Sequence, residues 1–269
     1  MTLGRTSGPS EGGAPRSKDD EREASLPRRL LAEAVGTFFL TFVAAGAEVV
    51  EVVTKGQLGS AARAVAPGVV VMALVYSLGD ISGAHLNPVV TLAFATRGVF
   101  RWALVPAYWA AQLTAAAVAA VLLLVIFGDV AHLGATRVHV SSSTALSIEV
   151  VLTVLLVTVI LNTATRARVV GPNAALAVGG TIVLCGLLGG PISGPSLNPA
   201  RSLGPDLIAG YWTNAWVYSL GPVLGAMIAV ALTAMLHPAK NADEVDAAEG
   251  AHRRARSAYP GSTGPPQWT

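Results

Sequence analysis

One short polar phrase occurs twice in this chain, as SGAHLNPVV at Ser82–Val90 and as SGPSLNPAR at Ser193–Arg201. Each copy lies between apolar stretches, and each carries Asn-Pro. Interrupted hydrophobic segments at corresponding points of two halves indicate a substrate path at a bilayer midplane. Composition agrees with a membrane setting: 52% of residues are hydrophobic and 13% charged, where a soluble domain carries about 25% charged residues. Most of the charge lies in 1–29 and 239–269, and the middle is nearly bare.

A spanning helix needs about 20 mostly apolar residues. Six stretches qualify: about Leu30–Val50, Ala61–Leu78, Trp102–Phe127, Ala145–Ala164, Ala174–Gly190 and Thr213–Leu236. The second and fifth run straight into the Ser-Gly…Asn-Pro turns. Two further apolar pieces, Pro88–Thr96 and Pro199–Ile208, reach only about half way across a membrane at a rise of about 1.5 Å per residue. An embedded acid marks each half: Glu33 precedes Asn87 by 54 residues, and Glu149 precedes Asn198 by 49. Three spans plus a half-helix therefore occur twice, over about 30–128 and 145–237. An odd number of spans per half gives the halves opposite topology. The expected fold is an all-α membrane protein with six transmembrane helices and two re-entrant half-helices in an inverted repeat.

Lys and Arg in short loops set the orientation. Arg28, Arg29, Arg97, Arg101, Arg166, Arg168 and Lys240 fall on one side, and Lys55, Arg63 and Arg137 on the other. Both termini are therefore expected in the cytoplasm. The first 29 residues are polar, so no cleavable signal peptide is expected. Residues 1–29 and 238–269, with their Gly, Ser, Pro and mixed charge, are predicted to be disordered tails flanking a channel domain over 30–237. The basic run Arg253, Arg254, Arg256 is either solvated or touches anionic lipid.

Asn is a strong helix N-cap, and Pro at the first helical position loses nothing, because its missing N–H would have been unpaired. Non-helical backbone at membrane depth survives only where it lines protein or a watery cavity. Each half-helix therefore begins near the midplane and returns to its own surface. In an inverted repeat the two N-termini meet head to head. Asn87 and Asn198 then offer side-chain donors to a passing solute, and each helix dipole adds the equivalent of roughly half a positive charge. Such a centre repels cations, hydronium included, and orients a neutral oxygen-bearing solute.

Other chemistries find little support. The single cysteine, Cys185, excludes an intrachain disulfide or a multi-cysteine metal site. No basic patch suits nucleic acid, and no nucleophile–base pair or metal-spaced cluster suggests catalysis or a cofactor. An ionisable residue within a membrane is a functional hypothesis by default. For Glu33 and Glu149 the alternatives are a proton relay or acceptors for backbone N–H groups of the re-entrant loops. Cys185 is either a buried inert thiol or a border of the pore. Trp102, Tyr108, Trp109, Trp216 and Tyr218 are expected to anchor at the interface and pack.

Through SGAHLNP, the later LNPARS and an early AEAVGTF stretch, the chain resembles the aquaporin or major intrinsic protein family from about Leu30 to Leu236. The resemblance implies a homotetramer in the cell membrane with one pore per subunit. Its pore centre would comprise Asn87, Pro88, Val89 and Asn198, Pro199, Ala200; Val89 stands where most relatives have Ala. The buried acids would be structural. Arg201 would be the arginine of the outer selectivity filter, its alternative being a structural salt bridge. His85 would line the cytoplasmic vestibule or brace its loop.

Counting back 20 residues from Asn87 places a filter position on Pro67; counting back 12 and three from Asn198 gives Gly186 and Pro195. Strict water channels similar to this family usually carry a bulky aromatic and a His at the first two. The set Pro67, Gly186, Pro195, Arg201 implies a wide, weakly polar mouth. Ser202 stands where glycerol facilitators carry Asp, and Tyr218-Ser219 replaces their Pro-Leu pair. The blend is most similar to nodulin-26-like intrinsic proteins and their bacterial relatives, whose members with small filter residues conduct undissociated boric, silicic or arsenous acid. The expectation is a passive channel for small uncharged solutes, such as these acids, glycerol, urea or water, that excludes ions and protons. The rivals are a water-selective channel and, since inverted repeats with broken helices also build them, an ion-coupled secondary transporter.

Overall fold

A computed structural model describes residues 24–166, 170–171 and 173–250. Most of the expected N-terminal tail, Arg168, and the basic run at Arg253, Arg254 and Arg256 lie outside the described residues. Nine α-helices form among those described: α1 Leu26–Val53, α2 Gly59–Ser82, α3 Pro88–Arg97, α4 Val105–Phe127, α5 Ser142–Ala164, α6 Asn173–Ser193, α7 Pro199–Ala209, α8 Val217–Leu236 and α9 Ala242–Glu249. Six of them (α1, α2, α4, α5, α6 and α8) are long and apolar enough to cross a membrane. At 10 and 11 residues, α3 and α7 are not; each spans about half a hydrocarbon core of roughly 30 Å.

The elements fall into two matching sets, α1–α4 and α5–α8, each with a long pair, a half-helix and a closing span. The main neighbours are α5 with α8, α2 with α6, α1 with α4 and α1 with α2. In α1 the buried residues recur every three or four positions, as at Glu33, Gly36, Thr37, Leu40, Thr41 and Ala44. Leu31, Val35 and Phe39 face outward, as an apolar solvent permits. Association in lipid relies on close backbone approach rather than on a hydrophobic drive. The α2–α6 contact shows this: a Cβ on Gly68 or on Gly179 would lie 2.5 Å from the other residue's carbonyl oxygen.

Several boundaries differ from the sequence-based expectation. α1 begins at Leu26 with Pro27 in its first turn, and takes in Arg28 and Arg29, which apolar patterning excludes. α8 begins at Val217 rather than near Thr213, because Asn214 turns the chain with φ +60° and accepts a hydrogen bond from the Ser142 hydroxyl at 2.8 Å. The largest departure is α9, within the stretch expected to be disordered. Its composition is that of a solvated segment, yet Glu244 and Glu249 are buried against Arg97 and Arg29. Those partners lie far away in the chain, beyond the reach of local patterning.

Candidate functional site

Both re-entrant loops hang on buried carboxylates. Glu33 accepts hydrogen bonds from the Ser82 hydroxyl (2.7 Å), the His85 N–H (2.9 Å), the Leu86 N–H (2.7 Å) and the Gln112 amide (2.8 Å). Glu149 accepts from the Ser193 hydroxyl (3.2 Å), the Ser196 N–H (3.1 Å) and the Leu197 N–H (3.0 Å). Both acids are fully buried. The loop N–H groups have no helix to pair with, and an unpaired buried N–H would be destabilising. Of the two alternatives read from sequence, this geometry is that of the backbone acceptor.

Two tyrosines extend the brace. Tyr108 on α4 donates to the Ser82 carbonyl at 3.0 Å, and Tyr218 on α8 donates to the Ser193 carbonyl. Neither is an interfacial anchor; both are fully buried. The sequence signal was available, since Tyr108 and Tyr218 follow Asn87 and Asn198 at nearly the same distance. Trp109 likewise does more than pack, donating its indole N–H to the Pro88 carbonyl at 2.9 Å. Gln112, which sequence reasoning missed, joins Glu33 to Thr91 on the half-helix (3.1 Å).

The half-helices begin where the braced loops end. Asn87 caps α3 by accepting from the Val89 N–H at 3.0 Å, and Asn198 caps α7 by accepting from the N–H groups of Ala200 and Arg201 at 3.0 and 3.4 Å. Pro88 and Pro199 occupy the first helical turns. The side-chain amides then cross: Asn87 donates to the Leu197 carbonyl and Asn198 to the Leu86 carbonyl, each at 2.8 Å. An amide has two N–H donors, so each asparagine keeps one for the cavity that both line. Val89 is buried with Phe94, Tyr108 and Val157 in the core, while its neighbour Val90 lines the cavity; Ala200 is fully buried. The β-branched departure at Val89 is thus a packing feature.

One continuous cavity of about 1110 Å³ passes this centre. Toward one end it is lined by Pro67, Gly186, Pro195 and Arg201, and beyond them by Glu48 and Arg63. Arg201 donates to the carbonyls of Gly134 (2.9 Å) and Ala44 (3.2 Å). Its partners are two backbone oxygens rather than the carboxylate of a salt bridge. Gly134 has φ +72° and abuts the Ala45 carbonyl, which no side chain would permit. Gly186 is wedged as well as pore-facing: a Cβ there would lie 2.8 Å from the Ala64 carbonyl oxygen on α2. The width at this level therefore follows from how closely α6 approaches α2.

At the other end, His85 borders the cavity but is only 4% exposed. Its Nε2 lies 3.0 Å from the Ala248 carbonyl and its Nδ1 3.0 Å from the Thr91 hydroxyl. A carbonyl only accepts, so Nε2 carries the proton of this contact. His85 thus both lines the cavity and braces its loop. Cys185 is buried beside Leu152, Leu156 and Leu197.

Two half-helices meeting head to head beside a cavity lined by α1, α2, α5 and α6, four of the six spanning helices, define a membrane channel. The chain belongs to the major intrinsic protein family, whose model matches residues 21–233. It is 45% identical over 201 residues to aquaporin NIP1-1 of Zea mays, covering 74% of this chain and 71% of that protein. Aquaporin NIP1-4 of Oryza sativa subsp. japonica is 50% identical over 198 residues (73% and 72%), and aquaporin NIP2-1 of Zea mays 41% over 212 residues (79% and 72%). The aquaglyceroporin from Plasmodium falciparum shares the fold, with a TM-score of 0.72 at 24% identity over 80% of this chain and 98% of that one. The chain is a multi-pass membrane protein with the aquaporin fold and the sequence character of the nodulin-26-like branch, a passive channel for small solutes.

Proposed function

We propose that this channel conducts small uncharged solutes, namely undissociated metalloid acids such as boric, silicic or arsenous acid, together with glycerol or urea, while excluding ions and protons. It works as a homotetramer in the cell membrane with both termini in the cytoplasm. The observation that carries the reading is the outer end of the cavity. Of Pro67, Gly186, Pro195 and Arg201, which line it together, only Arg201 carries a side-chain donor, and none is aromatic. Such a mouth binds a solute's oxygens through one cation and leaves the rest of the perimeter apolar. Arg201 and the two helix N-termini repel cations along the same path.

The test is stopped-flow light scattering on proteoliposomes under an osmotic step and then under boric acid, glycerol and urea gradients. Fast solute entry that falls sharply in Pro67→Trp is expected, because an indole on α2 would fill the mouth while restoring a helical N–H. Fast water flux without solute entry would overturn the proposal in favour of a water-selective pore. Solute accumulation driven by a proton or sodium gradient would replace it with coupled transport.

A further inference from the structure

The cavity's second end has a wall that the two repeated halves do not supply. α9 is eight residues long, and isolated helices of that length are marginal in water, so its contacts must hold it. Asn241 caps it, accepting from the Glu244 N–H at 2.9 Å, and donates its amide to the Thr165 carbonyl after α5 at 2.9 Å. Glu244 grips Arg97, the last residue of half-helix α3, through two contacts of 2.9 and 3.2 Å. Arg97 also donates to the His237 carbonyl after α8 at 2.7 Å. Glu249 pairs at 2.6 Å with Arg29 in the first turn of α1, which also donates to Tyr108 at 2.9 Å.

These ion pairs are buried, and both arginines come from the first half of the molecule, while the carbonyls of Thr165 and His237 tie the same segment to the ends of two second-half helices. The last turn then presses onto the first re-entrant loop. The Ala248 carbonyl meets His85 Nε2 at 3.0 Å. A Cβ on Gly83 would lie 2.5 Å from that same carbonyl oxygen, and one on Gly250 would lie 2.7 Å from the Ser82 nitrogen. Ala247, one residue before, lines the conduction cavity. α9 is therefore docked with the register that turns Ala247 to the path, while Val245 faces outward.

We propose that α9 forms a second constriction of the pore: Ala247 walls the cytoplasmic mouth and limits the rate of passage there, while the Arg201 end governs which solutes enter. This rests on the channel reading above and on its orientation. Glu244 and Glu249 act as positioning residues, holding α9 against the mouth.

The experiment compares the full chain with Ala247→Trp, Val245→Trp and the double variant Glu244→Gln/Glu249→Gln in proteoliposomes, by the same stopped-flow assay. Ala247→Trp is expected to lower flux several-fold for every permeant, and Val245→Trp to leave it unchanged. The double variant is expected to raise flux without altering the order of boric acid, glycerol and urea. Ala247→Trp touches neither ion pair, so it reads the constriction even where the double variant fails to fold. Flux through Ala247→Trp equal to that of the parent would overturn the constriction. A parent that passes water but no solute would overturn the solute reading instead, and the Ala247→Trp comparison is then read on water flux. A parent that passes neither overturns both.

Discussion

Leu86 and Leu197 share a backbone conformation that L-residues rarely adopt, with φ of +51° and +57°, each immediately before an asparagine cap. A non-glycine residue held there stores roughly 1–3 kcal/mol of strain, and its surroundings must over-determine it. Here the surroundings do so twice over. Each leucine N–H is held by a buried glutamate, and each leucine carbonyl is held by the asparagine of the opposite loop. The two halves of the pore centre thus fix each other's backbone.

Asn87→Asp or Asn198→Asp sets an acceptor against the opposite leucine carbonyl. Each is expected to destabilise the protein by about 1–3 kcal/mol, the usual consequence of unpairing a buried group. The double variant should cost less than the sum of the singles, because both disrupt one network. Thermal unfolding of the detergent-solubilised protein measures this. Strict additivity would mean that the crossed bonds are not coupled.

Glu33→Ala leaves four donors without their acceptor and Glu149→Ala leaves three. Each orphaned buried donor costs about 1–3 kcal/mol, so both variants should lose folded yield, Glu33→Ala more severely. The Gln variants keep the shape and one acceptor oxygen and should fold better. Size-exclusion profiles in detergent check the order. A Gln variant that folds normally yet abolishes solute uptake only under a proton gradient would restore the relay reading.

Gly186→His is the natural substitution for narrowing a wide filter, but its Cβ would meet the α2 backbone before its ring reached the pore. Overpacking of this kind typically costs about 1–3 kcal/mol. Gly186→His is therefore expected to lower the melting temperature, whereas Pro67→Trp should narrow the mouth with stability retained. A Gly186→His protein as stable as the parent, with reduced solute flux, would show that α2 yields and that the side chain lies in the path.

Much of the architecture was legible because the membrane permits few solutions. The six spans and two half-helices follow from runs of apolar residues and from Asn-Pro as a helix start. Glu33 and Glu149 stood out as charges where charge is costly. What local pattern missed has a common cause. Gln112 and Arg29 look ordinary in sequence, and their roles depend on helix partners 79 residues away; Tyr108 and Tyr218 are marked only by their matched spacing from Asn87 and Asn198, and their carbonyl partners lie 26 and 25 residues away.

By itself, then, the sequence determined the six spans, the two half-helices and the duplicated Asn-Pro caps at Asn87 and Asn198. These follow from hydropathy, helix capping and repeat spacing, all local properties. Only the tertiary structure decided that Asn87 and Asn198 each spend one donor on the opposite loop, that Gly186 sets width through helix approach, and that an acidic, tail-like segment is a docked helix. Each of those depends on distances between residues far apart in the chain, and a buried charge such as Glu244 is tolerable only once Arg97 is beside it.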